Sequence, residues 1–494
     1  MKKAVLFLFC LILTMPLIAE EALPEAKSEG LSMGGGVGTV QIGGESYAQI
    51  RFLPEITIGK LGIGLDIELL IDNDGNIRKE DWNEWEDILT KIYYIRYGHR
   101  GDNFFGRIGG FPQYSLGPGL VMKNYSNMVY YPEYKKIGLQ LGGKIPSTSV
   151  TMEAFVSDIL EQDIFAGRVT VEPLAATNFP LFENIKLGGT IAHDRNQYKG
   201  LLDSDGDGYP DVFDDYPHNP NKWNEVDENI DEWWAIFQEI VEDATYEEFE
   251  QWFWHDSAIM AGKRNPSFAD LGEASITAFG IDYELPLIQT QLFYLSNYAE
   301  FAQILDHNWG LIFPGFYSQF LIFHMNLEFR HYQDKFIPSY FDSIYESQRA
   351  AVVGDTVRLK ETLIGTATKS RGWYGSLTSN ILNLISLTVS YEDMYGKDKD
   401  NKRSIWGTLA LKPRLIPGIT RAEVNYSQIR VRHVLKEFKT PSSMISGTGG
   451  YMLAPNTELV ARYQERYVDL DGDGKISGPD ETIKTFSMGV EFRF

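Results

Sequence analysis

The sequence predicts an all-β fold, a transmembrane antiparallel β-barrel of about 16–20 strands with long external loops and a small helical insertion. Three observations lead there. Long segments alternate between apolar and polar residues with period two. The alternating runs approach the roughly 9–11 residues that a tilted strand needs to cross a bilayer, and no apolar run of about 18 residues remains after the first twenty to make a membrane helix. The final strand, TFSMGVEFRF, keeps its alternation to the last residue.

At the N-terminus, MKKAVLFLFCLILTMPLIA has two lysines, an apolar run and a small residue at Ala19, the layout of a signal peptide spanning 1–19. The expected barrel then occupies 20–494. Cys10 lies inside the apolar run, so it does not read as a lipidation site, and cleavage would remove the chain's one thiol. Disulfides are thereby excluded as staples.

The clearest strands follow. In 61–71, Leu61, Ile63, Leu65, Ile67, Leu69 and Ile71 share one face, with Gly62, Gly64, Asp66 and Glu68 on the other. In 320–330, Leu321, Phe323, Met325, Leu327 and Phe329 oppose His324, Asn326, Glu328 and Arg330. Phe486, Met488, Val490, Phe492 and Phe494 oppose Ser487, Gly489, Glu491 and Arg493 in the last strand. Large apolar groups on one face and charges on the other suit lipid outside and water inside. A soluble sandwich would alternate too, so length and connections carry the decision. Short turns are expected near 58–61, 98–103, 145–148, 285–287, 414–418 and 454–457, and long connections at 72–87, 112–135, 194–272, 333–371, 431–445 and 469–481. Strand patterns near 307–315, 372–380 and 446–454 are the weakest.

A terminal aromatic residue preceded by aromatics and aliphatics at alternate positions resembles the C-terminal signature of bacterial outer-membrane proteins. That resemblance implies location in the bacterial outer membrane of a Gram-negative cell, contact with outer-membrane lipid, and recognition of the last strand by the barrel-assembly machinery. It also implies a periplasmic Phe494. Counting back from there puts every short turn in the periplasm and every long loop outside, as such barrels require.

Two loops have the spacing of calcium sites. Calcium takes six to eight hard oxygens from a short segment with a glycine at its tight turn. In DSDGDGYPDVFD, Asp203, Asp205 and Asp207 stand at positions 1, 3 and 5, Gly208 at 6, the Tyr209 carbonyl at 7, Asp211 at 9 and Asp214 at 12. The segment, with Tyr216-Pro217 after it, resembles thrombospondin type 3 calcium repeats. In 469–480, Asp469, Asp471, Asp473, Gly474, the Lys475 carbonyl, Ser477 and Asp480 fill EF-hand-like positions. Asp in place of Glu at the twelfth position points to weak affinity, on the order of 10⁻⁴–10⁻³ M. DNDGNIRKED (72–81) is a weaker third candidate, lacking glycine at position 6. Ca2+ is therefore the expected cofactor, in a structural role.

Within the acidic insertion 194–272, Trp233, Ile236, Phe237, Ile240, Phe249, Trp252 and Phe253 recur at helical spacing, so one or two helices packing on the barrel mouth are expected. Residues 203–256 hold eighteen Asp and Glu against Lys222 alone, and supply most of the net charge of −23. That balance argues against nucleic acid as a partner.

If alternation holds, the pore-lining face carries Asp66, Glu68, Arg168, Glu328, Arg330, Arg421, Glu423, Arg462, Glu491 and Arg493. These charges either sort solutes in a water-filled pore or form a salt-bridged network in a closed barrel. The segment 112–127, PQYSLGPGLVMKNYSN, follows the fifth predicted strand, the position at which general porins fold a loop into the pore. No nucleophile elbow, zinc spacing or phosphate loop is present, and we expect no enzyme.

Overall the chain resembles porin-like outer-membrane proteins. The resemblance implies a channel for passive or weakly selective diffusion of small hydrophilic solutes, with the homotrimer that is the porin habit. A closed barrel anchoring a surface adhesion or ligand-binding loop, and an uptake barrel for hydrophobic compounds, are the alternatives.

Overall fold

Peptide groups in hydrocarbon find no water, so a membrane-crossing sheet must close on itself. A computed structural model has that closure. It describes residues 30–493 except 43–44, 80–81, 83–84, 131–133, 176, 178, 180, 225–229, 242–243, 254–265, 354–355, 383, 397–402, 413–415, 441, 455–456, 468–474 and 477–480. The expected signal segment 1–19 and Phe494 lie outside these residues.

Twenty antiparallel strands form the barrel, the upper end of the expected range. They are β1 (Gly30–Ile42), β2 (Glu45–Ile58), β3 (Leu61–Leu65 and Ile67–Ile71, broken at Asp66), β4 (Ile92–Tyr97) and β5 (Phe104–Gly109). Then come β6 (Gly138–Lys144), β7 (Val150–Val156), β8 (Ile164–Val171), β9 (Lys186–Asp194) and β10 (Ile276–Gln289). β11 (Phe293–Ile304), β12 (Trp309–Phe320), β13 (Phe323–Tyr332), β14 (Ser370–Ile381) and β15 (Ile385–Gly396) follow. The last five are β16 (Arg403–Leu411), β17 (Ile419–Val431), β18 (Ser443–Ala454), β19 (Thr457–Tyr467) and β20 (Thr482–Arg493). Each strand pairs with its sequence neighbours, and β1 pairs with β20 to close the ring. That seam is short. It runs from Gly34↔Arg493 to Val37↔Val490, whereas β1 and β2 pair from Gly30↔Thr57 to Ile42↔Glu45.

The six connections expected to be long open from one end of the barrel: 72–91, 110–137, 195–275, 333–369, 432–442 and 468–481. Turns at 59–60, 98–103, 145–149, 290–292, 321–322 and 382–384 close the other, with a longer link at 172–185. Two expectations need correction. Pro286 does not mark a turn; β10 runs through it to Gln289 with a register shift between Pro286 and Ile288, because a bulge accommodates a residue that has no N–H to give the ladder. Leu321 is not part of a strand 320–330 but sits in the tight turn between β12 and β13 at φ 55°. The apolar run across 320–323 hid that turn.

The outward face is apolar: Leu327 is 50% exposed, Phe486 63% and Met488 59%. Paired aromatics form partial belts near both of its ends. Tyr97 with Phe104 and Phe293 with Phe320 lie beside the short turns. Phe301 with Trp309 and Phe329 with Trp373 lie toward the loop end. Along β11 the belts are eight residues apart (Phe293 to Phe301). That separation is about 27 Å of strand, or about 20 Å along the axis after a tilt of roughly 40°, close to the apolar band of such barrels. Among the described residues no helix is long and apolar enough to cross a membrane.

Facing tests this assignment. Leu327→Arg on the lipid face should destabilise the barrel by about 2–4 kcal/mol, while Asn326→Arg on the lumen face should leave it nearly unchanged. Denaturant unfolding in lipid vesicles, followed by heat-modifiable gel migration, compares the two; equal losses would mean that the faces are misassigned.

Candidate functional site

The lumen is not empty. Phe104–Gly109 is the fifth strand, and the connection after it turns back into the barrel as a hairpin of Tyr114–Leu116 and Met122–Tyr125. Gly117, at φ 60°, makes its tip, where a Cβ would stand 2.6 Å from the Arg168 guanidinium. Leu116, Val121, Met122 and Tyr125 are fully buried against inward residues of the wall such as Phe155, Ile164, Ala278 and Ile304. Glu300 of β11 accepts a hydrogen bond from the Leu120 amide at 2.8 Å, holding the hairpin to the wall. A second connection, 333–369, packs on the first. Met122 and Phe341 form a parallel bridge, and Phe336, Tyr340, Phe341 and Tyr345 join the same core.

Charge locks the two together. Arg349, 0% exposed, bonds to Asp163 and lies 3.4 Å from Asp194 and 3.5 Å from Glu346. Lys136 reaches Asp163 at 3.1 Å and Glu346 at 2.9 Å. Tyr125 donates to Glu346, and Tyr345 donates to Asp194 at 2.8 Å. Burial disfavours a bare ammonium at Lys136, yet the Asp163 and Glu346 carboxylates outweigh it and hold its pKa above the ordinary lysine value. Burial likewise opposes ionised Asp163, and Lys136 with Arg349 reverses the sign to well below the usual carboxylate range. Removing one member would leave buried charge without a partner.

The expected pore-lining residues fall on the inward face wherever their side chains are described, and most are paired. Asp66 binds Arg51 at 2.5 Å and Lys135 at 3.0 Å. Glu68 accepts from Gln49. Arg168 makes a two-point contact with Asp282 at 2.6 and 2.8 Å. Arg330 bridges Glu328 and Glu392, the latter at 2.8 Å, beneath Tyr374. Arg421 pairs with Glu458. Glu423 accepts from Asn425 at 2.8 Å, and both it and Arg462 stay exposed to the lumen. The backbone register pairs Glu491 with Gly36 and Arg493 with Gly34, and the side chains of Glu491 and Arg493 lie outside the described set. Arg349, Lys136, Asp163, Asp194, Glu346 and Glu300 escaped the sequence reading. The aromatic density of 336–345, FIPSYFDSIY, is the signal that could have flagged a packed loop.

The acidic loop 203–214 is the second site. Carboxylate oxygens of Asp203, Asp205 and Asp207 lie within 4.8 Å of one another. Asp203 accepts from the amides of Gly206 (2.8 Å) and Gly208 (3.1 Å), which shape the turn. Asp214 is 8% exposed, and one oxygen each of Asp205 and Asp214 is buried with no hydrogen-bond partner. Burial raises the carboxyl pKa of Asp203, Asp205 and Asp207, and pushes Asp214 up to about 6 with help from Asp207, Asp205 and Asp211. Clustered, desolvated acids with orphan oxygens fit a hard divalent cation. Asp211 is otherwise engaged, with both oxygens on Ser204 at 2.7 Å, and the Tyr209 ring stacks on Trp223 at 4.2 Å.

Of the second loop only Lys475 and Ile476 are described, so Asp469, Asp471, Asp473, Ser477 and Asp480 lie outside the described residues. The weaker 72–81 candidate resolves into an Asx turn: Asp72 Oδ1 accepts from the amides of Asp74 (2.9 Å) and Asn76 (2.8 Å), which satisfies it locally. The helical expectation resolves into α1 (Ile230–Ile240) and α2 (Tyr246–Gln251), which bury Phe237, Phe249 and Phe253 between them.

A closed barrel with an even number of strands, an apolar exterior, aromatic pairs near both ends and its four longest loops at one end is an outer-membrane β-barrel. That places the chain in the bacterial outer membrane, in contact with its lipid. No family profile matches the chain, and no curated protein matches it in sequence. Solved structures similar to it are outer-membrane barrels. The siderophore receptor PirA from Acinetobacter baumannii has a TM-score of 0.37 at 9% identity, with 94% of this chain and 74% of that chain covered. OccK11 (OpdR) from Pseudomonas aeruginosa has a TM-score of 0.32 at 10% identity, covering 94% of each chain. OccAB3 from Acinetobacter baumannii gives 0.31 at 11%, covering 94% of this chain and 98% of that chain. Likeness at this level carries no argument about function.

Arg349→Met should release the internal connection without opening the barrel. Chymotrypsin should then cut at Tyr340, Phe341 or Tyr345, which wild type buries completely, while heat-modifiable migration stays normal. Resistance equal to wild type would show that apolar packing alone holds the loop.

Proposed function

We propose that the chain is an outer-membrane channel of the porin kind, passing small hydrophilic solutes through a lumen narrowed by two internal loops, with calcium stiffening its external acidic loop. One observation carries the channel reading. The hairpin 114–125 and the connection 333–369 cover the wall from β7 to β15, whereas inward groups on β17 and β19 (Glu423, Arg462, Gln464) remain exposed inside a closed barrel. A charged side chain that faces inward and still touches solvent requires water in the lumen. Ion pairs lock most of the other lumen charges, so the field a solute meets is set by few groups, which favours weak selectivity. The calcium reading is supported by the orphan oxygens of Asp205 and Asp214 beside Asp203 and Asp207.

Planar-bilayer recording on the purified protein should give discrete ohmic steps. Replacing 114–125 by a short glycine-serine link should enlarge the unit current. A barrel that never conducts, with or without the hairpin, would favour the anchored-adhesin alternative. Calorimetry on the full-length protein should show calcium binding at millimolar concentration that Asp205→Asn weakens; absence of heat in wild type would remove the calcium claim.

A further inference from the structure

The acidic loop and the lumen-filling connection meet at one short strip of chain, residues 197–202. On its inner side the strip holds the connection 333–369. Buried Gln197 accepts from the Tyr340 hydroxyl at 3.0 Å and from the Glu361 amide at 3.3 Å, and donates to the Glu361 carboxylate at 3.1 Å. The Lys199 carbonyl accepts from Arg349. Gly200 lies so close beneath Arg349 that a Cβ there would collide with the arginine stem.

On its outer side the same strip holds the acidic loop. The Leu202 carbonyl accepts from the Asp211 amide at 2.7 Å, and Asp203, the first acidic ligand position, follows directly. Gly208, in the middle of the loop, accepts from the Phe268 amide at 3.0 Å, and the Phe268 ring carries the Lys199 ammonium at 4.4 Å. The loop is therefore tied at its start to Leu202 and at its middle, through Phe268, to Lys199, whose carbonyl holds Arg349; Gln197, two residues before Lys199, holds Tyr340 and Glu361.

We propose that calcium bound by the 203–214 loop locks the lumen-filling connection 333–369 in place through residues 197–202, so that external calcium holds the channel in its constricted form. The proposal rests on the calcium reading above. Without the cation, carboxylates crowd around Asp205 and repel, and the loop opens more readily. With it, the loop is fixed, Leu202 and Lys199 stay in register, and Gln197 and Lys199 keep their grip on Tyr340, Glu361 and Arg349. A ligand that binds the closed form alone suppresses opening by the factor 1 + [L]/Kd, about tenfold at ten times Kd.

The full-length protein in vesicles tests this, with hydrogen exchange read separately for peptides covering 203–214 and 336–350. Terbium serves as the binding probe, since Tyr209 and Trp223 are placed to sensitise it. Calcium should displace terbium and slow exchange in both peptides by about tenfold at ten times Kd. Gln197→Ala should still bind terbium and still show protection at 203–214, but lose the calcium effect at 336–350. Asp205→Asn should lose both. Protection confined to 203–214 in wild type would overturn the coupling while leaving the calcium site standing. Failure of terbium and calcium to bind at all would overturn both readings together.

Discussion

Everything in this molecule depends on the requirement that no peptide group face hydrocarbon without a hydrogen-bond partner. Closure of the sheet follows from it, then alternation, because a closed wall has one apolar and one wet surface. The bulge at Pro286 and the break at Asp66 are tolerated because the neighbouring ladders re-form within a residue or two. The seam between β1 and β20 meets the requirement with a short ladder that stops at Val37↔Val490, as short as that between β4 and β5. Opposite it lies a fully zipped and internally braced wall, with β10 through β15 paired almost along their lengths.

A twenty-strand ring is too wide for side chains alone to fill, unlike a ring of about eight strands. Two connections fold inward to occupy part of it, and their anchoring chemistry is ionic. Arg349, Lys136, Asp163, Asp194 and Glu346 form a buried cluster whose charges nearly balance. Apolar groups of the same volume could be as stable there. Ion pairs differ in demanding one geometry: the guanidinium of Arg349 meets Asp163, Asp194 and the Lys199 carbonyl only with 333–369 seated against the β7–β8 turn and the end of β9. The cluster thus fixes where the internal loop sits as well as that it sits.

The barrel and the inward course of 112–127 were legible because they rest on periodicity and on strand counting, which a one-dimensional pattern preserves. The inward faces of Asp66, Arg168, Glu328, Arg330 and Arg421 were legible for the same reason. Partners were not. Asp282 lies 114 residues from Arg168, and Arg349 meets Asp163 across 186 residues, and no local pattern announces such a pair. Turns failed where the usual markers misled: Pro286 sits inside a strand, and Leu321-Ile322 turns without glycine or proline. For the acidic loop, spacing identified Asp203, Asp205 and Asp207 as neighbours, but could not foresee that Asp211 would spend both oxygens on Ser204.

The lumen is asymmetric in a way that bears on its use. One wall is covered by packed loops, and the opposite wall presents small inward residues: Gly34, Gly36 and Gly38 on β1, Gly489 on β20, and Ser446, Thr448 and Gly450 on β18. Were the barrel merely an anchor, filling that side with large side chains would add buried contacts at about 25 cal/mol per Å² of apolar area. Glu423 and Arg462 stay exposed beside these small residues, whereas the small inward residues of the covered wall, such as Ala278, Gly280 and Gly310, lie under the internal loops. Loop packing on one side and its absence on the other is the asymmetry on which the proposed passage rests.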